Sequence, residues 1–367
     1  MTAEGAGLTY ETAGVETVGA VTALGRLLKW VGKPSHSPQE EGIGASVLES
    51  GFYASVLNIG PNMGLALSTD GVGTKLLIAQ MMDKYDTVGI DCVAMNVNDL
   101  ICVGAEPISM LDYIAVEKAD PDTFEEIGKG LYEGARQANI SISGGEISQV
   151  KEMLQGYREG TGFDLIGMAV GLVPLDGILV GQDIDDDDVV IGLRSNGVHS
   201  NGYTLARRIF FDTLGYSPDH YVPELGHSIG EELLRPTHIY VRPALEMLRS
   251  RARVKALINI TSDGLLNLNR VRSNTGYVID FLPQPDPVFQ LLQEGGKISD
   301  EEMFLVYNMG IGFCVIAPQG DADLVCEIAQ KNGFESDVIG HAVGSLEKKV
   351  MIEPKQLVGE GDSFSRY

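Results

Sequence analysis

Residues 68–75, Ser-Thr-Asp-Gly-Val-Gly-Thr-Lys, constrain this chain more than any other stretch. The short apolar run Leu65–Ser68 before them reads as a strand, and Leu76–Met82 after them as a helix. The eight residues therefore form a strand-to-helix joint. Gly71 and Gly73 let backbone amides converge on an anion, and the helix N-terminus adds partial positive charge. Lys75 adds a full charge and Thr74 a hydroxyl. Asp70 repels a phosphate unless a divalent cation stands between them. One reading is a metal–polyphosphate cradle; the other is a glycine-rich turn with a solvated Asp and Lys.

The chain has 367 residues, which favours two domains, divided here as 1–175 and 176–367 at the Pro174–Asp188 stretch. A net charge of −24 argues against a nucleic-acid surface, which needs a basic stripe. It leaves an anionic substrate open, because a metal or a few local cations can bind one. Cys92, Cys102, Cys314 and Cys326 lack zinc-ligand spacing and sit in apolar contexts, as reduced cytosolic thiols do. No apolar run is long enough to span a membrane, and no signal peptide is apparent, so a cytoplasmic location is expected.

Val56–Ile59 and Leu65–Ser68 read as paired strands, Glu16–Trp30 and Gly89–Val103 as helices, and Glu106–Val116 as a strand. Asp120-Pro121 caps and starts a helix whose Phe124, Ile127, Leu131, Ala135 and Ala138 share a face. Ile140–Ser143 and Phe163–Val173 read as strands flanking a loop at Gly144-Gly145-Glu146. In the second half a strand is expected at Val189–Leu193, a helix at Gly202–Leu214, and a strand at Ile311–Ala317. Strands and helices mix without strict alternation, which indicates an α/β fold of the mixed α+β kind rather than a barrel.

Helix Gly89–Val103 carries a polar stripe. Asp91 and Asn98 differ in direction by about 20°, with Asp99 about 80° away. Acids on an otherwise apolar helix need partners: an ion pair or cap is one answer, a metal shared with Asp70 and Glu146 the other. Ser195-Asn196-Gly197-Val198-His199-Ser200-Asn201 concentrates neutral donors and acceptors before a helix. Ser200 or Asn201 as a cap is the plain account, and a site for a sugar, amide or phosphate is the functional one. No Walker A loop, dinucleotide fingerprint, nucleophile elbow or H-E-x-x-H is present.

These residues, taken in order, resemble the phosphoribosylformylglycinamidine cyclo-ligase (aminoimidazole ribonucleotide synthetase) family. The likeness runs from Leu8-Thr9-Tyr10-Glu11-Thr12-Ala13-Gly14-Val15 through Ser68–Lys75 and Gly89–Leu100, then Gly104-Ala105-Glu106-Pro107. It continues with Gly144-Gly145-Glu146, Asp164-Leu165-Ile166-Gly167, Ser195–Tyr203 and Asn308-Met309-Gly310-Ile311-Gly312. Two places depart: Asn259-Ile260-Thr261-Ser262-Asp263-Gly264 stands where many members read His-Ile-Thr-Gly-Gly-Gly, and Glu16 where Asp is frequent.

The resemblance implies two α/β domains of the aminoimidazole ribonucleotide synthetase type, with N-terminal sheets pairing across a homodimer. It implies ATP and Mg²⁺, and formylglycinamidine ribonucleotide as the small-molecule substrate. Asp70, Gly71, Gly73, Thr74, Lys75 and Asn98 are then expected at the ATP phosphates, and Asp70, Asp99 and Glu146, with Asp91 second, at the metal. Ser195, Asn196, His199 and Asn201 fall on the substrate side, and Lys75 and His199 are the catalytic candidates. Two other readings remain: another ATP-dependent kinase or synthetase of the same superfamily, and a catalytically silent nucleotide-binding subunit.

Overall fold

A computed structural model describes residues 7–15, 17–31, 42–49 and 51–367. Glu16, the expected start of the first helix and one of the two departures, lies outside the described residues; the helix α1 itself runs Thr17–Val31. The first half continues β1 (Ser55–Gly60), β2 (Met63–Gly71), α2 (Lys75–Met82), α3 (Val88–Cys102), β3 (Glu106–Val116), α4 (Pro121–Ala138), β4 (Ser141–Gln149) and β5 (Phe163–Pro174). Its five strands form one sheet in the order β1-β2-β5-β3-β4.

Side-chain alternation fixes the two faces of this sheet. Phe163, Leu165, Ala169 and Val173 of β5 are buried beneath α3, whereas Ile166, Met168, Val170 and Leu172 stand on the opposite face, half-buried or exposed. The helix α3 is apolar nearly all round because it is covered all round: it packs on β2 and β5, against α4, and against β9 and α7 of the second half. The Asp120 carboxylate accepts the Thr123 amide at 2.9 Å, Pro121 follows in the first turn, and Asn139 ends α4 with φ of 58°. All three are the signals expected of its ends.

One local expectation fails. Gly144-Gly145-Glu146 is not a loop but the middle of β4, paired in parallel with Leu111, Asp112 and Tyr113 of β3. The ladder's hydrogen bonds override glycine's poor strand propensity.

The second half contributes β6 (Val189–Arg194), α5 (Tyr203–Arg207), the small hairpin β7 (Tyr221–Val222) and β8 (His227–Ser228), α6 (Ile229–Leu233), α7 (Val241–Arg249) and β9 (Ala256–Asn259). Then come β10 (Gly276–Ile279), α8 (Pro287–Gly296), α9 (Asp300–Val306), β11 (Ile311–Ala317), α10 (Ala322–Lys331), β12 (Ser336–Val343), β13 (Val350–Ile352), β14 (Leu357–Glu360) and β15 (Ser363–Arg366). Eight strands order as β15-β14-β13-β10-β12-β6-β11-β9. Every residue of β11 is buried, as a strand covered on both faces requires. The expected helix Gly202–Leu214 divides into α5 and a π-helical turn over Arg208–Thr213. The edge strand β9 abuts α3, so the two halves meet along that helix.

Candidate active site

Strand register sets the first part of the site. Asp70 on β2 lies opposite Gly167 on β5, which lies opposite Asp112 on β3, which lies opposite Gly145 on β4. Directly opposed residues share a face, and Gly167 faces Asn96 and Cys92 of α3. Asp70 and Asp112 are thus two carboxylates on the inner face, roughly 10 Å apart at the backbone, two strand spacings. A Cβ on Gly145 would come 2.6 Å from the Asp112 carboxylate oxygens, so the glycine makes room for that acid. Asp70 reaches solvent, yet the surrounding protein still raises its carboxyl above the ordinary value, opposed by a hydrogen bond from the Gly71 amide. Burial raises Asp112 in the same way.

Glu146 does not join them. It lines up with Tyr113, Ile166 and Gly71 on the outer face of the sheet, and its carboxylate accepts the Ile147 amide. Asp99 lies at the junction of the halves, within reach of the Asp70 charge. Burial pushes Asp99 up to about 7, against the hydrogen bond it accepts from Asn259, with the Asp70 charge adding to the rise and Arg270 opposing it. The Asn259 amide donates to Asp99 Oδ1 at 2.9 Å, and the Tyr53 hydroxyl donates to the Asn259 carbonyl at 2.9 Å. In the altered loop, Asp263 has φ of 74° and pairs with Arg270 at 3.2 Å, whose guanidinium lies over the Tyr53 ring.

Lys75 and Asp91 pair with each other. Both are fully buried, with Nζ 2.9 Å from Oδ1. The expected convergence of Asp70, Asp91, Asp99 and Glu146 on one cation is therefore replaced. Asp91 is taken by an ammonium and Glu146 faces away. Among the described residues, no three Asp, Glu, His or Cys side chains gather closely enough to hold a metal by themselves.

Asn98 is also occupied. Its Oδ1 accepts the Tyr240 amide at 3.0 Å and its Nδ2 donates to the His238 carbonyl at 2.8 Å. Asp91 accepts the Thr237 amide at 2.7 Å. The polar stripe of α3 thus clasps the Thr237–Tyr240 backbone of the second half, which satisfies buried groups on both sides. A phosphate role for Asn98 does not fit this arrangement, because the side chain is fully buried and both ends of its amide are engaged there.

The Ser195–Asn201 run forms a bent loop at the same junction. Ser195 Oγ donates to Asn308 Oδ1 at 2.9 Å, and Asn196 Oδ1 accepts Arg235 Nε at 2.9 Å. His199 is buried with φ of 60°, and its Nε2 accepts the Asn196 amide at 3.0 Å, which places the ring proton on Nδ1. Burial, and then the nearby His238, hold His199 well below the ordinary histidine value, so its ring is neutral. Asn201 is half-buried. The loop before α2 meets α5, the helix that follows this run: the Thr74 and Thr204 hydroxyls are 3.3 Å apart. Gly73 has φ of 72° with open space where a side chain would stand, and Gly71 is half-buried beside Ile166.

Sequence reasoning missed Asp112 and Arg235. Asp112 had a signal, a lone acid at an inward position of an apolar strand. Arg235 had only a local one, Glu232 three residues before it, since its other partners Asn196 and Asp286 are brought to it by the fold.

Two family models cover the chain: the N-terminal domain of AIR synthase related proteins matches residues 51–173, and the C-terminal domain matches 185–353. The chain belongs to the AIR synthase related family. Within it, the chain is 47% identical to the phosphoribosylformylglycinamidine cyclo-ligase of Methanocaldococcus jannaschii over 80% of this chain and 82% of that one. It is 46% identical to the enzyme of the same name from Methanobrevibacter smithii over 77% of this chain and 80% of that one.

Solved structures share the fold at lower identity. Thiamine monophosphate kinase from Aquifex aeolicus aligns with a TM-score of 0.58 and 16% identity, over 92% of this chain and 97% of that one. Thermotoga maritima PurL complexed with ATP aligns with a TM-score of 0.54 and 15% identity over 86% of this chain, which spans only 44% of that longer protein. No helix among the described residues is long and apolar enough to cross a membrane.

Proposed function

We infer that this chain is an ATP-dependent phosphoribosylformylglycinamidine cyclo-ligase of purine biosynthesis. It closes the imidazole ring of aminoimidazole ribonucleotide from formylglycinamidine ribonucleotide. The observation that carries the reading is 47% identity to a relative of that name across four fifths of both chains, with the start of α2 meeting the Ser195–Asn201 loop at the junction through Lys75 and the His199 carbonyl.

The chemistry follows from the substrate. An amide oxygen is a poor leaving group, so the ATP γ-phosphoryl group is transferred to the formyl oxygen and ADP departs. An internal nitrogen then attacks the activated carbon, and phosphate leaves as the ring closes. Attack is intramolecular, so the protein's main task is to hold a near-attack geometry.

Residues 1–175 form the ATP side in this reading, with Asp70, Gly71, Gly73 and Thr74 at the phosphates. Residues 176–367 carry the acceptor side, where Ser195, Asn196 and Asn201 bind substrate and His199 shapes the loop. Mg²⁺ would be held through one or two carboxylates, as is usual for this ion beside phosphates. Asp70 and Asp112, with Asp99 on the Asp70 side, suit that role because among the described residues they are acids without an ion pair to an ammonium or guanidinium. When bound, Mg²⁺ offsets the charge on the transferring phosphoryl group. The enzyme is expected in the cytoplasm as a homodimer through the outer face of the first sheet.

ADP release measured with and without formylglycinamidine ribonucleotide tests the reading. Strong dependence on that compound is expected, and Asp70→Asn lowers turnover by about 10²-fold or more while the fold stays intact. ADP release indifferent to the compound overturns the assignment.

A further inference from the structure

We propose that Lys75 is a positioning residue: a buried pin from the first half that sets the bend of the Ser195–Gly202 loop in the second half. The proposal rests on the reading of that loop as the acceptor side. It replaces the sequence-based expectation that the Lys75 ammonium meets a phosphate.

An ammonium has three N–H donors. All three have partners: Asp91 Oδ1 at 2.9 Å, the His199 carbonyl at 3.2 Å and the Arg235 carbonyl at 2.6 Å. The side chain is 0% exposed. Two of the three acceptors are backbone carbonyls of the second half, so the charge joins the halves. Its counter-ion faces the same way, because Asp91 Oδ1 also accepts from Ser200 Oγ at 3.2 Å and from the Thr237 amide at 2.7 Å.

The bend that Lys75 grips is an unfavourable one. His199 has φ of 60°, a left-handed conformation that residues with a side chain adopt rarely. Gly197 at 68° and Gly202 at 77° flank it. The His199 carbonyl is turned inward to accept from Lys75 and also from the Tyr203 hydroxyl at 2.9 Å. Lys75 opens α2, immediately after Asp70–Thr74, so a shift of the first loop is carried by one side chain to the second.

The full chain carrying Lys75→Met or Lys75→Arg tests this. A guanidinium keeps the charge but spreads its donors in a plane, and it cannot converge three of them on the space of one nitrogen. Lys75→Met and Lys75→Arg are both expected to keep ATP affinity within about threefold, less than one ordinary hydrogen bond. Both should lose about 10²-fold in kcat/KM for formylglycinamidine ribonucleotide, the scale of a ~1 Å misplacement. Amides 196–202 should exchange hydrogen at least about tenfold faster in the ligand-free variants.

Should Lys75→Met fail to fold, the double variant Lys75→Met/Asp91→Asn removes both charges together and is read in the same three ways. Loss of ATP affinity in Lys75→Met with recovery in Lys75→Arg and unchanged exchange at 196–202 overturns the pin, because it shows the charge acting on phosphate. A native chain that ignores formylglycinamidine ribonucleotide sinks the functional reading alone. Hydrogen exchange at 196–202 still decides for or against the pin.

Discussion

His199 and His238 show how a residue's surroundings set what it can do. Their rings stand 6.0 Å apart at the centroids, with Tyr240 beside both and Phe334 against His238. Burial, and then the Arg235 charge, lower His238 to about 4, and Asp286 opposes this. Burial holds His199 down as well. Both are neutral in the fold, whereas in the unfolded chain they take up protons near 6.5. Between about 6.5 and 4 the unfolded state therefore binds more protons, and stability falls as pH falls. The melting temperature is expected to drop through that window. His238→Phe, which keeps a ring in the cluster and removes the titration, should lessen the drop by about 2–5 °C. Parallel thermal melts of the two proteins from pH 7 to 4.5 measure it, and superimposable slopes would refute the account. A neutral, buried His199 whose Nε2 is occupied by a backbone amide also suits loop shaping better than acid catalysis.

At the scale of elements, the contact of α3 with α4 depends on glycine. A Cβ on Gly130 would meet the Asp86 carbonyl at 2.6 Å and the backbone of Gly89 at 3.0 Å, whereas one on Gly128, a half-turn away, meets nothing within 4 Å. The same substitution on the same helix should thus have opposite signs. Gly128→Ala is expected to stabilise by about 0.5–1 kcal/mol through helix propensity. Gly130→Ala is expected to destabilise by about 1–3 kcal/mol through overpacking. Urea unfolding of both variants gives the comparison, and equal shifts would show that the helices are free to move apart. Helix α4 was legible in the sequence because Asp120, Pro121 and its apolar spacing are local signals, as was the strand Phe163–Val173, though its alternation of faces was not. Gly144–Glu146 was not legible, because its strand depends on pairing with β3. The partnership of Lys75 with Asp91 and with the His199 and Arg235 carbonyls was hidden for the same reason, since sequence separation conceals who meets whom. Asn259 was seen as a departure, but only the fold shows that its amide still serves Asp99.

For the whole molecule, the outer face of the first sheet remains uncovered by the described residues. Met168 is 41% exposed, Leu111 40% and Tyr113 37%, and Leu65, Leu67, Ile166 and Leu172 stand half-buried beside them. Register places Leu111 opposite Met168 and Tyr113 opposite Ile166, so the apolar residues form one continuous patch across β2, β5 and β3. Contiguous apolar surface of this kind marks an interaction site, and in a chain of net charge −24 it is a place where two copies can approach without stacking acid on acid. Glu146, in line with Tyr113 on the same face, stands toward the edge of the sheet. A symmetric dimer would bury the patch against itself. Met168→Glu puts a carboxylate at its centre, and burying that charge should cost about 3 kcal/mol, or about two decades in Kd for dimer formation. Sedimentation equilibrium of the native and variant proteins reads this directly. A dimer native chain and a monomeric Met168→Glu variant are expected at the same concentration. A native monomer, or a variant that associates as tightly as the native chain, would mean that the patch is not the contact.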